Sequence, residues 1–346
     1  MKISLEINQK ISRDEWISYV DHHPQGTFYH LPAWEEVLEE SFHYQPFYLF
    51  AQNSRQELCG ILPLFQIRSF LTGNRLISLP FSYISGPIAD SNAIEQALFK
   101  KAKEISLDQK SDYLEIRSIV PKNIDWDVSS YFSTYLVKLS KDPQEVYRKF
   151  HKDSVRNAIG KAKRRGVTVT RGNNLKDLKN FYQLNLITKS NLGVPAHPFF
   201  FLEKIYQKMP KNFRLYLAKF DDKFVAGLVN FNYKKTVIAA YGGTDKRYLR
   251  SNANNLLFWR AIEDACLEGY EIFDFGRTAQ DNFNLINHKK RWGAEEQKLY
   301  YYYPQKVKKL SNERNGIKYK ILSSIWKKMP LALSGKLSNI FFKHFD

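Results

Sequence analysis

The side chains that could do chemistry in this chain are single acids, bases and cations, without a recognisable nucleophile or metal motif. The sequence contains no GxSxG elbow, no HExxH, no GxxxxGK[ST] and no GxGxxG. The eight histidines lack the spacing of metal ligands. The two cysteines, Cys59 and Cys266, allow neither a disulfide framework nor a zinc site. These patterns argue against a covalent nucleophile and against a bound metal.

Three polar residues lie where the predicted elements could form a site. Arg277 ends a predicted strand directly after Gly276, and loops at strand ends commonly carry functional groups. Asp274 shares that strand and could pair with a basic residue. His197 lies in the GVPAHP loop between two predicted helices, where a histidine could act as an acid or base near neutral pH. The alternatives are a structural ion pair for Asp274 and Arg277 and a packed loop residue for His197.

The positive charge of the chain is clustered. The net charge is +18, from 53 Lys and Arg against 35 Asp and Glu, which raises the local concentration of anionic partners such as nucleic acid, anionic lipid or phosphorylated substrates. A capped, basic helix is predicted over residues 143–166. One face of it would carry Lys152, Arg156, Gly160, Lys163 and Arg164. This face predicts a phosphate-binding surface, and the alternative is a solvated linker helix.

The predicted elements that position these residues follow one order twice. Each half of the chain has the pattern βααβββαββ, and residues 58–62 resemble residues 225–229 in local sequence. We therefore expect an α/β (α+β) fold with two tandem domains and mixed sheets. The predicted domains are residues 1–142 and 167–304, joined by the basic helix 143–166. Two unrelated halves would be the alternative.

Residues 305–346 form a predicted basic tail. It contains ten Lys and Arg against Glu313 and Asp346, and Ile317, Ile321 and Ile325 recur at helical spacing. A basic amphipathic pattern with a tryptophan is typical of an interfacial helix, and the alternative is a helix docked on the protein's own core. The N-terminus has no signal-peptide pattern, and no apolar run is long enough to span a membrane. We expect a cytoplasmic protein, either free or peripheral on the inner face of the membrane.

An ordered set of local motifs carries a family resemblance across nearly the whole chain. The matching stretches are residues 28–34, 60–64, 76–81, 86–87, 156–162, 193–195, 254–257, 273–277 and 289–293. Through them the chain resembles the FemAB/FemX peptidoglycan aminoacyltransferases, and most closely the FemAB-like proteins associated with exopolysaccharide and PEP-CTERM sorting systems. The resemblance implies two tandem GNAT-like acyl-CoA N-acyltransferase domains. It also implies transfer of an amino acid from aminoacyl-tRNA to a muropeptide precursor.

The resemblance also implies site residues. Lys289 takes the position of a family lysine thought to stabilise charge at the reaction centre, and Gly293 takes that of a family glycine. His288 departs from the family pattern, which has an aromatic residue there. A surface lysine is the alternative for Lys289. The candidate catalytic residues are Lys289, Arg277 and Asp274. The candidate substrate-binding residues are Arg156, Lys163, Arg164, His197, Tyr241, Asn254, Asn255 and Trp292.

We therefore expect an acyltransferase that moves an aminoacyl or other acyl group onto an amine or hydroxyl of a peptidoglycan or polysaccharide precursor. Such a reaction needs positioning and charge stabilisation, without a metal or other cofactor. The acyl donor, aminoacyl-tRNA or acyl-CoA, stays open. Residues 247–254 contain no glycine, which weakens the acyl-CoA alternative because a glycine-rich turn usually cradles its pyrophosphate. The other rivals are an acyl-CoA-dependent transferase of exopolysaccharide synthesis and a non-catalytic nucleic-acid- or membrane-binding protein.

Overall fold

Two α/β units make up the chain in the computed structural model, which describes residues 4–7, 11–304 and 317–344. The first unit contains Met1–Phe132, Lys298–Leu310 and Lys343–Asp346. The second unit contains Ser133–Gln297 and Ser311–Phe342. The predicted mixed α/β fold class is confirmed.

The first unit is built on a mixed sheet with the order β1-β2-β3-β4-β6-β16-β7, and β5 pairs with β3. The strands are β1 (Ser4–Ile7), β2 (Gln45–Gln52), β3 (Leu58–Ser69), β4 (Gly73–Ile77), β5 (Ile88–Ala89), β6 (Tyr113–Ser118), β7 (Asp127–Ser129) and β16 (Tyr300–Tyr303). The helices are α1 (Arg13–His22), α2 (Pro32–Phe42) and α3 (Asn92–Asp108), with a 3-10 turn at Phe28–His30. Helix α3 is capped by Ser91, whose hydroxyl accepts a hydrogen bond from the Ile94 N–H.

The second unit is built on a sheet with the order β9-β10-β11-β12-β13-β8-β14, and β15 pairs with β8. The strands are β8 (Phe132–Lys138), β9 (Thr168–Gly172), β10 (Phe213–Phe220), β11 (Lys223–Tyr233), β12 (Thr236–Thr244), β13 (Ile272–Asp274), β14 (Thr278–Ala279) and β15 (Glu295–Lys298). The helices are α4 (Pro143–Lys149), α5 (Asn157–Arg164), α6 (Leu175–Leu192), α7 (Phe199–Lys208), α8 (Ala253–Leu267) and α9 (Phe283–Lys290). A π-helical turn at Lys152–Arg156 precedes α5, and a 3-10 segment at Lys246–Ser251 precedes α8.

The two sheets have the same strand order, as the sequence duplication predicts. In the first unit β4 and β6 are parallel, and β16 lies antiparallel to β6. In the second unit β12 and β13 are parallel, and β8 lies antiparallel to β13. In each sheet, the strand next to the parallel pair therefore comes from the other half of the sequence. This strand is β16 in the first unit and β8 in the second.

This exchange differs from the predicted domain boundaries. Residues 1–142 were expected to contain β8, and residues 167–304 were expected to contain β16. Instead, β8 pairs with β13 and β16 pairs with β6. Local sequence predicts that a segment is a strand, but the sheet it joins depends on pairing between residues far apart in the chain.

The predicted connecting helix 143–166 is interrupted. Asp142 caps its first turn as predicted, with its carboxylate accepting a hydrogen bond from the Gln144 N–H at 2.9 Å. Helix α4 then ends at Phe150, which has extended backbone and is buried beside Trp259 and Trp292. Burying this ring outweighs the continuation of the helix, so the basic segment is split into α4, the π-helical turn and α5.

The predicted tail is described for residues 317–344 only. It forms a first tail helix, Ile317–Lys328, and a second tail helix, Leu331–Phe341, followed by a 3-10 turn at Phe342–His344. Both tail helices pack against α6 within the second unit. No helix in the described part of the chain is long and apolar enough to cross a membrane.

Candidate active site

Lys289 lies in the last turn of α9 and is buried. The helix begins at Asn282, whose side-chain oxygen accepts a hydrogen bond from the Leu285 N–H at 3.2 Å. Lys289 is only 3% exposed, whereas its neighbour Lys290 is exposed. A surface lysine is the alternative that the sequence leaves open for Lys289. The observed helix instead turns its side chain inward.

The ammonium group of Lys289 contacts the chain just after β13. Its Nζ donates to the Gly276 carbonyl and to the Thr278 hydroxyl, each at 2.6 Å. It also lies 5.5 Å from the ring centre of Tyr135 on β8. An ammonium has three N–H donors, and in the described part of the chain the third has no hydrogen-bond partner. Lys289 is therefore held in place with one donor left over.

Burial shifts the protonation of this amine. Desolvation lowers the pKa of Lys289 to about 8, and the negative charge of Asp274 partly opposes the shift. The amine remains mostly charged at neutral pH. Because it is both buried and cationic, it can act strongly on a developing negative charge nearby.

Asp274 shapes the turn that carries the Lys289 contacts. Its carboxylate accepts hydrogen bonds from the Thr134 hydroxyl and from the Gly276 N–H, the latter at 2.7 Å. Gly276 has φ +74°, a left-handed conformation that favours glycine. This turn directs the Gly276 carbonyl towards Lys289. Asp274 is therefore a buried organiser of the turn, and the half-buried Arg277 follows it.

Strands β12 and β13 pair over a short stretch only. The parallel register joins Thr236–Ile238 of β12 to Ile272–Asp274 of β13. Strand β12 continues to Thr244, and its register against β11 shifts near Ala239 and Tyr241. In the described residues no strand covers the β13-side edge of β12 after Ile238. Such an edge can hold an extended acyl or peptide group through its backbone hydrogen bonds.

Three predicted substrate-binding residues lie at or near the end of β12. Tyr241 belongs to the strand itself. Asn254, in the first turn of α8, accepts a hydrogen bond from the Thr244 hydroxyl at 3.3 Å. Asn255 donates to the Ser154 carbonyl at 3.5 Å, which joins α8 to the π-helical turn. The glycine-free stretch before α8 is largely the 3-10 segment, and it begins at Asp245, which caps Arg247.

His197 belongs to an aromatic cluster. Its ring lies 4.3 Å from Tyr241 and 4.6 Å from Phe342, measured between ring centres. Its Nδ1 is buried and has no hydrogen-bond partner in the described structure. Burial, with repulsion from Lys189, holds the pKa of His197 well below its usual value, so the ring is neutral at pH 7. This placement favours the packed-loop alternative over an acid–base role.

The predicted cationic residues lie apart from the Lys289 contacts. Lys163 and Arg164 are exposed on α5. Arg156 ends the π-helical turn and is half-buried, and its Nε has no partner among the described residues. Neither hydrogen bond of the Lys289 ammonium involves these side chains, and their role in phosphate binding stays a prediction.

Trp292 is a core residue. It is fully buried, and its ring lies 5.1 Å from Phe150 and 5.9 Å from Phe258. His288, which departs from the family pattern, lies 6.5 Å from Trp292, and burial lowers its pKa. The placement of Trp292 indicates packing behind α9 and gives no support for substrate contact.

Three residues of the site were not predicted from the sequence, namely Thr134, Tyr135 and Thr278. Thr134 and Tyr135 lie on β8, which the sequence analysis assigned to the other half of the chain. Thr278 directly follows Arg277, so its position next to a candidate was visible. Only the pairing of β8 with β13 brings Thr134 and Tyr135 to the site. No cluster of three metal-ligating side chains occurs in the described residues.

Comparisons with known proteins agree with this architecture. Residues 149–290, which include Lys289, match the family model described as an acetyltransferase (GNAT) domain. The search of curated proteins gave no significant match. Among solved structures the chain is similar to FemX, with 17% identity and a TM-score of 0.68 over 87% of this chain and 97% of that one.

Two further solved structures share the fold. One is the C-terminal domain of a protein described as a lysylphosphatidylglycerol synthetase from Agrobacterium fabrum, with 11% identity and a TM-score of 0.58 over 85% of this chain and 92% of that one. The other is a tandem GNAT protein from the clavulanic acid pathway, with 10% identity and a TM-score of 0.53 over 89% of this chain and all of that one. The predicted FemAB-like, tandem GNAT-like architecture is confirmed at the level of fold. The chain has a GNAT-type acyltransferase fold.

Proposed function

We propose that this protein is an aminoacyltransferase that moves an aminoacyl or related acyl group onto an amine or hydroxyl of a peptidoglycan or polysaccharide precursor. The observation that carries the proposal is the buried, cationic Lys289, held against the turn after β13 inside the GNAT-matched segment. The structural neighbours FemX and lysylphosphatidylglycerol synthetase support aminoacyl transfer in the cell envelope.

The proposed chemistry needs a positioned nucleophile and a stabilised oxyanion. The acceptor amine or hydroxyl attacks the acyl carbonyl of the donor and forms a tetrahedral intermediate. The bond from the acyl carbon to the donor's ester oxygen or thioester sulfur then breaks, and the leaving group takes up the proton that the acceptor loses. A preorganised cation facing the oxyanion is worth about 3–4 kcal/mol, on the scale of one oxyanion-hole donor. In our proposal the unused N–H of Lys289 supplies this stabilisation, and Asp274 keeps the turn in place. Arg277 is proposed to contact the substrate.

For the donor we favour aminoacyl-tRNA over acyl-CoA. The exposed Lys163 and Arg164, together with Arg156, form a surface suited to a phosphate backbone. The segment before α8 is a glycine-free 3-10 turn, which offers a poor pyrophosphate cradle. Asn254 and Asn255 would then contact the acceptor or the acyl group near the end of β12. The peripheral location on the inner membrane face remains a prediction.

Transfer of radiolabel tests the proposal directly. The purified chain would be incubated with labelled aminoacyl-tRNA or labelled acetyl-CoA, and with nucleotide-linked or lipid-linked muropeptide precursors as acceptors. We expect label to move from aminoacyl-tRNA to the precursor. Binding of tRNA should weaken with salt at a log–log slope of about −0.7 per phosphate contact. Transfer from acetyl-CoA alone would support the acyl-CoA alternative, and no transfer from either donor would support a non-catalytic role.

Substitution at Lys289 tests the proposed catalytic cation. Lys289→Ala should lower the transfer rate about a hundredfold or more, because it removes the oxyanion contact. Lys289→Arg should restore only part of the rate, because a planar guanidinium differs from a compact ammonium. Lys290→Ala is the matched control, since Lys290 lies next to it in α9 and is exposed.

The pH dependence of the transfer rate distinguishes whether Lys289 acts as a cation or as a base. If the charged amine is needed, the rate should fall above about pH 8, where Lys289 loses its proton. A rate that instead rises through this range would assign Lys289 the role of a base. A folded and fully active Lys289→Ala variant would refute both roles.

A further inference from the structure

The second tail helix packs with its small and polar residues inward. Ser334 and Ser338 are buried, and the Ser338 hydroxyl accepts a hydrogen bond from the Ala196 N–H at 3.1 Å and donates to the Ser334 carbonyl at 2.7 Å. Gly335 lies against α6, because a Cβ atom there would be 3.7 Å from Leu186. The second tail helix therefore buries two serines, a residue type that is mostly found on the solvent-exposed surface.

The outward face of the same helix is apolar. Leu333 is 47% exposed and Ile340 is 58% exposed, and they lie seven residues apart, which places them on one side of the helix. Ile325 on the first tail helix is 54% exposed. Leu337 and Phe341 are half-buried, so this short helix exposes Leu333 and Ile340 in addition to the apolar side chains that it partly buries. The arrangement leaves an apolar face available for a partner.

The acidic and basic residues of the two tail helices all carry one sign of charge. Lys327, Lys328 and Lys336 are exposed on the tail helices. The sequence from residue 317 to residue 344 contains six lysines and no Asp or Glu. A twofold contact between two copies would bring these lysines against one another, which disfavours a second copy as the occupant. An anionic and apolar surface complements the face in both respects.

We propose that the tail face, defined as Ile325, Leu333 and Ile340 with Lys327, Lys328 and Lys336, binds the surface of an anionic lipid bilayer. The apolar side chains would enter the boundary between headgroups and acyl chains, and the lysines would contact the anionic headgroups. Neither tail helix can span the bilayer, so the contact is interfacial. The proposal does not depend on the acyl-transfer reaction.

Vesicle sedimentation of the full chain tests the proposal. The probes are vesicles of phosphatidylglycerol and phosphatidylcholine in a 3:7 ratio, taken as about one third anionic lipid, and vesicles of phosphatidylcholine alone. We expect binding to the anionic vesicles and much weaker binding to the neutral ones. The variant L333S/I340S should bind the anionic vesicles about tenfold more weakly or worse, because its apolar contacts are lost. The variant K328E/K336E should lose about fivefold or more per lysine on the anionic vesicles only.

The matched control is A332S/N339S, which changes two exposed positions of the same helix without removing large apolar side chains. It should bind like the unaltered chain, and thermal melts should show all variants folded. Equal binding by L333S/I340S and the unaltered chain would overturn the proposal, as would an absence of binding to every vesicle. A dimer in light scattering that L333S/I340S converts to a monomer would also overturn it, in favour of a second copy.

Discussion

At the residue scale, Lys289 combines its proposed catalytic role with an energetic cost. A charged amine that is 3% exposed loses its hydration, and its two hydrogen bonds and the charge of Asp274 offset this only in part. The lowered pKa expresses that cost. Keeping this amine charged and buried therefore lowers the stability of the folded chain at neutral pH.

The cost of burying the charged Lys289 amine predicts how the free energy of unfolding depends on pH. Below about pH 8 the amine is charged in the folded and unfolded states, and the burial penalty is fully present. As the pH rises from about 8 towards the ordinary value of 10.5, the folded state releases its proton first, so stability rises. The gain is at most roughly 3 kcal/mol, at 1.36 kcal/mol per unit of pKa. The variant Lys289→Met should lack this gain.

Denaturant unfolding of both proteins at pH 7.5 and pH 10 measures the effect. The double difference removes the contribution of other titrating groups, which both proteins share. The unaltered chain should gain stability relative to Lys289→Met at the higher pH. An equal response of the two proteins would mean that Lys289 is not held in a desolvated site.

At the element scale, the end of α6 is fitted to the first tail helix. Gly193 caps α6 with φ +73°, and a Cβ atom there would overlap the Ser323 side chain and lie 2.6 Å from the Ser323 carbonyl oxygen. Gly269, which follows α8, has φ +81° with nothing within 4 Å of the same position. The two glycines share a backbone conformation and differ in their surroundings.

Alanine substitutions at these two glycines distinguish the stability cost of backbone strain from the cost of disturbed packing. Gly269→Ala should cost about 1 kcal/mol of stability, the price of a left-handed non-glycine residue. Gly193→Ala should cost about 1–3 kcal/mol more, because the tail helix must move. Urea unfolding gives the stabilities, and amide hydrogen exchange over residues 323–341 should accelerate only in Gly193→Ala. Equal losses would argue against the docked position of the tail.

At the scale of the whole molecule, each sheet contains one strand from the other half of the sequence, β16 in the first unit and β8 in the second. Strand β16 supplies Tyr302, which lies in the first unit's core 5.8 Å from Phe99 between ring centres. Its hydroxyl accepts a hydrogen bond from the Lys122 N–H at 2.6 Å. Tyr303 donates to the buried Glu115 in the same sheet. The predicted domain 1–142 lacks Tyr302 and Tyr303, because β16 lies outside it.

We therefore predict that residues 1–131 do not fold alone. The fragment should lack a cooperative transition and fixed aromatic signals in near-ultraviolet circular dichroism, because β6 has lost its neighbour. Linking residues 298–304 to its C-terminus should restore both signals, whereas a linked segment of the same composition in scrambled order should not. A cooperative transition in the unlinked fragment would show that β16 is dispensable.

The sequence by itself determined much of the element pattern. The hydrophobic runs predicted the repeated strands and helices, the capping pattern at Asp142 marked the start of the connecting helix, and the duplicated order predicted two sheets of one topology. Local signals of this kind depend on spacing and capping over a few residues, so they can be read without the fold. The resemblance also singled out Lys289, although it did not reveal that the residue is buried.

Only the tertiary structure decided which strands share a sheet and what surrounds Lys289. The exchange of β8 brings Tyr135 beneath Lys289 and Thr134 to Asp274, across more than a hundred residues of sequence. It was likewise the fold that put Trp292 in the core and His197 among aromatic rings, and that turned Leu333 and Ile340 outward. Burial and partner choice depend on contacts between distant segments, and sequence periodicity carries no information about those contacts.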